Sequence, residues 1–419
     1  MMRRLILPFT GIVSMSAMVY ILYLIITFPN QINLVENMPH NLEFNSPFSA
    51  EIVPDTVTAL KVNSKPVADN INVKLSDGLT IESDSGTVKM TLNAFGMPIK
   101  SVNVDVVPEL EIIPCGLTVG VEINTAGVLV VATGTVKGYD GESYSPSEGK
   151  LLSGDLIVDV NGKSMTDKDI FIEEIRQSDN LQIKLMRDNE IVNIEITPVK
   201  SANESRLIGA WVRDATRGIG TVTYYNPSNN AFGALGHGIL DVDTKQLISV
   251  RDGKIMEAKI TDVKKGSKGS PGELVGELYE STSLGEVKLN TPFGIYGTMD
   301  LQGIGKLEKE KKAIALQDQV HEGPAKIYSD VDDEVIEYDV FIESLNRFSN
   351  DDTKGLVLRI TDPTLLHKTN GIVQGMSGSP IIQNDKVIGA VTHVFVQDPT
   401  KGYGIFIENM LKQERKIAS

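Results

Sequence analysis

Between Pro47 and Pro108, apolar and polar residues alternate in short runs: Thr56–Leu60, Ile71–Leu75, Val88–Leu92 and Val102–Val106. Asp-Gly and Ser-Gly pairs punctuate them. A period of two with such turns predicts a small antiparallel sheet domain over residues 47–111. In residues 112–200 the runs Gly127–Val131, Leu156–Val160, Leu181–Met186 and Glu190–Val199 read as strands. One stretch there, residues 167–177, carries Ile170, Ile172 and Ile175 near one face and predicts a helix. From 201 to 419 short glycine-punctuated strands follow one another, as in paired β-barrels or a sandwich. The predicted fold class is therefore mainly β.

The N-terminal pattern differs. Arg3 and Arg4 precede an uncharged apolar run from Leu5 to Phe28. As a helix at about 1.5 Å per residue the run spans roughly 36 Å, enough to cross a bilayer with some tilt. The expectation is a cytoplasmic tip and a retained transmembrane signal-anchor over residues 1–29, with no small-residue cleavage site at its end. The flanking arginines would keep that end in the cytoplasm and place the rest across the membrane. Residues 30–46, rich in Pro and Asn, read as a linker open to proteolysis.

Composition narrows the function. Length alone, 419 residues, predicts two or three domains. A net charge of −15 argues against a nucleic-acid partner. The single cysteine, Cys115, excludes an intramolecular disulfide and a multi-cysteine zinc site. None of the five histidines stands in an H-E-x-x-H arrangement, and no metal or cofactor is expected. The acidic stretch 330–352 reads as a solvated face.

Two turns carry candidate chemistry. Gly375-Met376-Ser377-Gly378-Ser379-Pro380 places a serine between glycines ahead of the apolar pair Ile381-Ile382. A nucleophilic serine needs a tight turn that exposes its hydroxyl and gathers backbone N–H groups around the oxyanion. The turn is close to the Gly-Asp-Ser-Gly-Gly-Pro signature of trypsin-like serine peptidases. The second turn is Gly233-Ala234-Leu235-Gly236-His237-Gly238, whose histidine has no large sequence neighbours to pack against. His237 is the favoured general base. His40 lies in the predicted linker, His321 and His367 in polar loops, and His393 on a strand beyond the serine, lining a pocket or buried. For the orienting carboxylate, Asp362 in Thr361-Asp362-Pro363 competes with Asp241 and Asp243. Its alternative reading is a turn-initiating Asp-Pro pair.

Two resemblances extend this reading. Lys150 to Gly162 resembles the L-x-x-G-D-x-I-x-x-[VI]-N-G stretch of PDZ domains, and Gly116-Leu117-Thr118-Val119-Gly120 stands where their carboxylate-binding loop would be. That implies a peptide-binding sheet edge over residues 112–200. The whole arrangement (apolar N-terminus, PDZ-like stretch, Gly-His-Gly, Thr-Asp-Pro and the serine turn) resembles the stage IV sporulation B signalling peptidases of endospore-forming bacteria. The resemblance implies a serine endopeptidase with catalytic His237, Asp362 and Ser377, an oxyanion hole of the Gly375 and Ser377 amides, and a trypsin-like double β-barrel over 201–419. It also implies a setting. Such proteins lie on the forespore inner membrane with the catalytic part in the intermembrane space. They cut their own N-terminal region, then a membrane-bound inhibitor of an intramembrane metalloprotease, which activates sigma-factor processing. Rival readings are a non-catalytic PDZ scaffold and a serine esterase.

Overall fold

In the computed structural model the described residues are 31–417 except 43, 45–47, 85, 95, 308–309, 333 and 348–351, together with Val19, Leu22 and Phe28. The expected membrane anchor lies outside the described residues, apart from those three positions. Among the described residues no helix is long and apolar enough to cross a membrane.

The first unit is a two-sheet β domain that begins earlier than expected. Gln31–Val35 pairs in parallel with Met97–Val107 and starts a five-stranded sheet. His40–Leu42 opens a four-stranded one. The alternation of Val88–Leu92 and Val102–Val106 is the burial alternation of their strands, with Val88, Met90 and Leu92 all at 0% exposure in a shared core, whereas Thr56–Ala59 lies outside any strand. So the expected linker 30–46 supplies two strands, because Leu34, Val35 and Leu42 are needed inside. His40, expected in a linker, is buried. Its Nε2 accepts from Val35 N at 2.8 Å and its Nδ1 meets Asp318 at 2.6 Å, tying this domain to the rest of the chain.

Two rings of strands follow. In the first, β1 (Glu111–Thr133), β2 (Ala210–Asn226), β3 (Ala231–Ala234), β4 (Val250–Lys264), β5 (Gly272–Thr291) and β6 (Gly294–Met299) pair in the order β1-β2-β3-β6-β5-β4. A further pairing of β4 with β1 returns the path to its start. The second is a closed barrel of β7 (Gly323–Ser329), β8 (Ile336–Leu345), β9 (Leu356–Ile360), β10 (Pro380–Gln383), β11 (Lys386–Phe395) and β12 (Asp398–Phe406), in the order β7-β8-β9-β12-β11-β10. Numbered within each ring, both read 1-2-3-6-5-4. Each encloses its own apolar core, Val121, Val222, Ile255 and Ile295 in one, Ile327, Leu358, Ile381 and Phe406 in the other. Closure removes the sheet edges that open β-sheets leave for aggregation.

The far ends of β1 and β2 leave the first ring and enter a third unit. There Leu129–Thr133 and Ala210–Arg213 pair with each other, and the sheet continues through Leu156–Val160, Leu181–Arg187 and Glu190–Ile196. Helix α1 (Lys168–Gln177) packs Phe171 and Ile175 onto it; Asp167 caps its start by accepting from Ile170 N at 2.9 Å. This unit is thus inserted between the first two strands of the first ring. The expected boundary at 200/201 does not divide the two, because β1 and β2 belong to both.

The acidic stretch 330–352 also departs from its reading. All of β8 lies within it, and Asp330 is buried at 7% exposure, accepting from Thr118 N at 2.7 Å.

Candidate active site

His237 leaves the end of β3 through two consecutive left-handed residues, Leu235 and Gly236, both at φ 70°. A buried leucine in that conformation is strained, and such strain clusters at functional sites. The flanking glycines have a packing reason that the sequence hid. A Cβ on Gly236 would come within 2.9 Å of Thr392 Cγ2, and one on Gly238 within 2.5 Å of the Thr291 carbonyl. The Gly238 amide donates to Pro292 O at 3.1 Å, so the turn between β5 and β6 clasps the histidine loop.

Ser377 comes from the second ring, on the turn between Val373–Gln374 and β10. Gly375 and Gly378 hold φ of 103° and 101°. At Gly378 a Cβ would also run into the Thr221 carbonyl of the first ring. Thr221, on β2, orders this turn across the seam: its amide donates to Ser377 O at 3.0 Å and its hydroxyl to Gly375 O at 2.7 Å. With those carbonyls turned toward Thr221, the Ser377 amide has no acceptor among the described residues. The neighbouring amides of Met376, Gly378 and Ser379 donate to Val373, Val391 and Met376 carbonyls. Ser377 is partly exposed, whereas Ser379 is at 0% with its hydroxyl oxygen unpartnered. Only Ser377 of the pair reaches solvent.

The two turns meet over β11. The Ser377 hydroxyl donates to Thr392 O at 2.7 Å, and the ring of the next residue, His393, lies 4.8 Å from the His237 ring at an interplanar angle of 35°. His237 Nδ1 lies 3.0 Å from Gly238 O. That partner assigns the proton to Nδ1 and leaves Nε2 as the acceptor a general base needs. Ser377 and His237 do not hydrogen-bond each other here. Burial pushes the His237 pKa below the usual histidine value, opposed by the Gly238 carbonyl; among the described residues no charged side chain contributes.

Asp362 does not join them. It sits at the end of β9 as the N-cap of α2 (Pro363–Thr369), its Oδ1 accepting from Thr364 N at 2.8 Å and Leu365 N at 2.9 Å. The expected carboxylate–imidazole contact is absent because the Asp-Pro pair starts a helix, the alternative reading of the same residues. Asp241 and Asp243 are no substitutes. Arg213 pairs with both, and the Asp241 carboxylate also accepts from Asp243 N at 3.0 Å and Thr244 N at 2.9 Å. Since asparagine caps a helix as well as aspartate does, Asp362→Asn is expected to keep turnover and melting temperature near wild type. Loss of an orienting carboxylate would instead lower kcat on the order of 10⁴-fold. Steady-state kinetics on the folded variant separate the two.

The Gly116-Leu117-Thr118-Val119-Gly120 segment is not a peptide-binding loop. It is the middle of β1, paired with both β2 and β4. Thr118 is bound by Asp330, and a Cβ at Gly116 would lie 2.7 Å from Tyr328 Cβ. These residues form the seam between the rings. A groove of about 660 Å³ opens elsewhere in the inserted unit, between α1 and the segment Arg206–Val212, lined by Phe171, Ile175, Arg176, Leu207 and Trp211 among others. Leu207 and Trp211 are exposed at 45% and 59%.

No group of three or more His, Cys, Asp or Glu side chains that could hold a metal ion occurs among the described residues. Cys115 is buried, which pushes its thiol pKa up and keeps it out of nucleophilic chemistry.

Comparison with known proteins bears on this geometry. The family model of the SpoIVB peptidase S55 matches residues 204–411, which hold His237, Asp362 and Ser377. The chain belongs to this family. It is a peptidase of the SpoIVB type. No curated protein matches the chain. Among solved structures, the PDZ domain of the SdrC-like protein from Listeria monocytogenes is similar at 22% identity, covering 22% of this chain and 90% of that one, with a TM-score of 0.18.

Proposed function

We propose that the chain is a serine endopeptidase in which Ser377 attacks the scissile carbonyl and His237 takes its proton. The observation that carries this is the convergence of both residues on Thr392-His393, Ser377 through the Thr392 carbonyl and His237 through the His393 ring. The two rings of identical strand order support a trypsin-like architecture, with the histidine supplied by one ring and the serine by the other. His237 Nε2 receives the Ser377 proton once the hydroxyl swings from Thr392 O, and later gives it to the leaving amine. The Gly238 carbonyl, rather than a carboxylate, holds the Nδ1 proton. The Ser377 amide, with Gly375, receives the developing oxyanion. Burial keeps His237 neutral, so turnover is expected to rise with pH through a group below about 6.5 and to be flat above it; a kcat/KM pH profile reads this directly.

The substrate is a protein. An extended peptide lies in the groove between α1 and Arg206–Val212, adding a strand to the sheet edge and raising the local concentration of the scissile segment to the ~mM range. Leu207→Glu, an exposed position on that groove, is expected to raise KM for a peptide substrate about tenfold, through loss of roughly 1.5 kcal/mol of apolar burial. A small ester reporter should be unaffected. Equal loss on both would make the unit a folding support. By family resemblance the proposal extends to a membrane-anchored, self-cleaving signalling peptidase of sporulation. It would act in the forespore intermembrane space on a membrane-bound inhibitor of an intramembrane metalloprotease, and on its own N-terminal region. Mapping of new N-termini after incubating the purified protein with a peptide library tests the endopeptidase reading. Wild type should generate them and Ser377→Ala none; new N-termini from both would refute it.

A further inference from the structure

The Gly238 carbonyl fixes one nitrogen of His237 but not the plane of its ring, and the described carboxylates of the surroundings are committed elsewhere. The ring's aromatic neighbour is His393. Its placement has a structural cause. β11 pairs with β12 at Val391↔Gly404 and again at Val394↔Gly402, so one extra residue is inserted in β11 between those pairs. Bulges of this kind re-aim side chains and occur next to active sites. Here the bulge falls on Thr392-His393, turning the Thr392 carbonyl to the Ser377 hydroxyl and the His393 ring to His237. A Cβ on Gly402 would lie 2.6 Å from His393 O, so the partner strand is shaped to admit the bulge. His393 itself is exposed, unlike the buried Val391 and Thr392 before it.

We propose that His393 is a positioning residue for the catalytic base: its imidazole holds the plane of the His237 ring from the bulge in β11, and its protonation opposes protonation of His237. The inference rests on His237 acting as the base. On β11 the titratable neighbour is His393, and on the serine turn it is the Ser377 hydroxyl. The turn Thr291–Gly294 carries no charge. On the histidine's own loop, Asp241 and Asp243 are paired with Arg213, and from the second ring Asp362 caps α2. An imidazolium 4.8 Å from a second imidazole ring disfavours a second charge.

The test compares wild type, His393→Ala and His393→Phe. His393→Ala frees the ring and is expected to lower kcat about tenfold with KM little changed, as expected when a positioning contact that matters in the transition state is lost. His393→Phe restores the packing without the charge. It should recover most of that kcat at high pH and move the acid limb of kcat/KM upward by about half a unit or more. A histidine-ring NMR titration of Ser377→Ala with and without His393→Phe reads the same shift of His237 without needing activity. Wild-type kcat in His393→Ala, or unmoved His237 titration in His393→Phe, would overturn the proposal. If the wild-type protein cleaves nothing while the NMR shift is present, the endopeptidase reading fails and the ring contact stands.

Discussion

Replacing Ser377 or His237 by alanine is expected to lower peptide turnover on the order of 10⁴-fold or more, and the double variant should be little worse than either single one. Non-additivity is the signature of two groups acting as one: without the base the hydroxyl is a poor nucleophile, and without the hydroxyl the base has no proton to take. The cost in stability should be small. Ser377 is partly exposed and makes one side-chain hydrogen bond, to Thr392 O, and His237 is only partly buried. Ser379→Ala should instead leave turnover largely intact, because that hydroxyl is sealed and unpartnered. Single-turnover kinetics on the four variants, with circular dichroism to confirm folding, checks all of this. Additive losses would mean that the two residues do not share a step.

The second large effect is at Gly378. Alanine there meets two obstacles, a backbone φ of 101° and a Cβ placed 2.6 Å from Leu235 N and against the Thr221 carbonyl. Neither backbone atom can move aside without parting the two rings. The expected loss is about 3 kcal/mol or more of stability. The Ser377 turn should separate from Thr221, and turnover should be abolished at temperatures where the variant remains folded. Thr221→Val gives the milder version of the same break. It removes one buried hydroxyl bond to Gly375 O at about 1–3 kcal/mol while keeping the shape. Urea denaturation and kinetics on both variants check the ranking. A fully active Gly378→Ala would mean that the two rings are not locked at this contact.

Local chemistry was legible and long-range registry was not. Three of the four alternating runs of the first domain became strands (Ile71–Lys74, and most of Gly86–Ala94 and Met97–Val107), because each needs only its own period-two pattern and a core to face; Thr56–Leu60 instead forms a turn that reaches a strand only at Leu60. The turns bearing His237 and Ser377 were legible because close backbone approach and left-handed φ leave glycine as the residue that fits. Asp362 was ambiguous for a physical reason: Asp-Pro is at once a strand end, a helix cap and a carboxylate, and only the helix that follows decides. The misplaced peptide-binding loop has a similar cause. Gly116–Gly120 and Gly127–Val131 lie on one continuous strand that serves two units, and nothing in the local pattern marks where one ends. The linker reading of 30–46 failed because Leu34 and Leu42 enter a core whose other members lie up to 70 residues away. Thr221, Thr392 and His393 were missed as a group. Each acts through a main-chain contact or a bulge between strands, and no spacing in the sequence encodes a bulge. A histidine in the otherwise apolar, β-branched run Val391-Thr392-His393-Val394-Phe395 was the one available signal.

The central claim is that Ser377 is a nucleophile activated by His237, and covalent labelling tests it most directly. Incubation with a fluorophosphonate, followed by intact mass and peptide mapping, should give a single adduct on Ser377. The labelling rate should fall steeply as pH drops below the His237 titration, and labelling should be lost in Ser377→Ala and strongly slowed in His237→Ala, yet persist in Asp362→Asn. An adduct on another residue, or labelling of Ser377 that ignores His237, would contradict it.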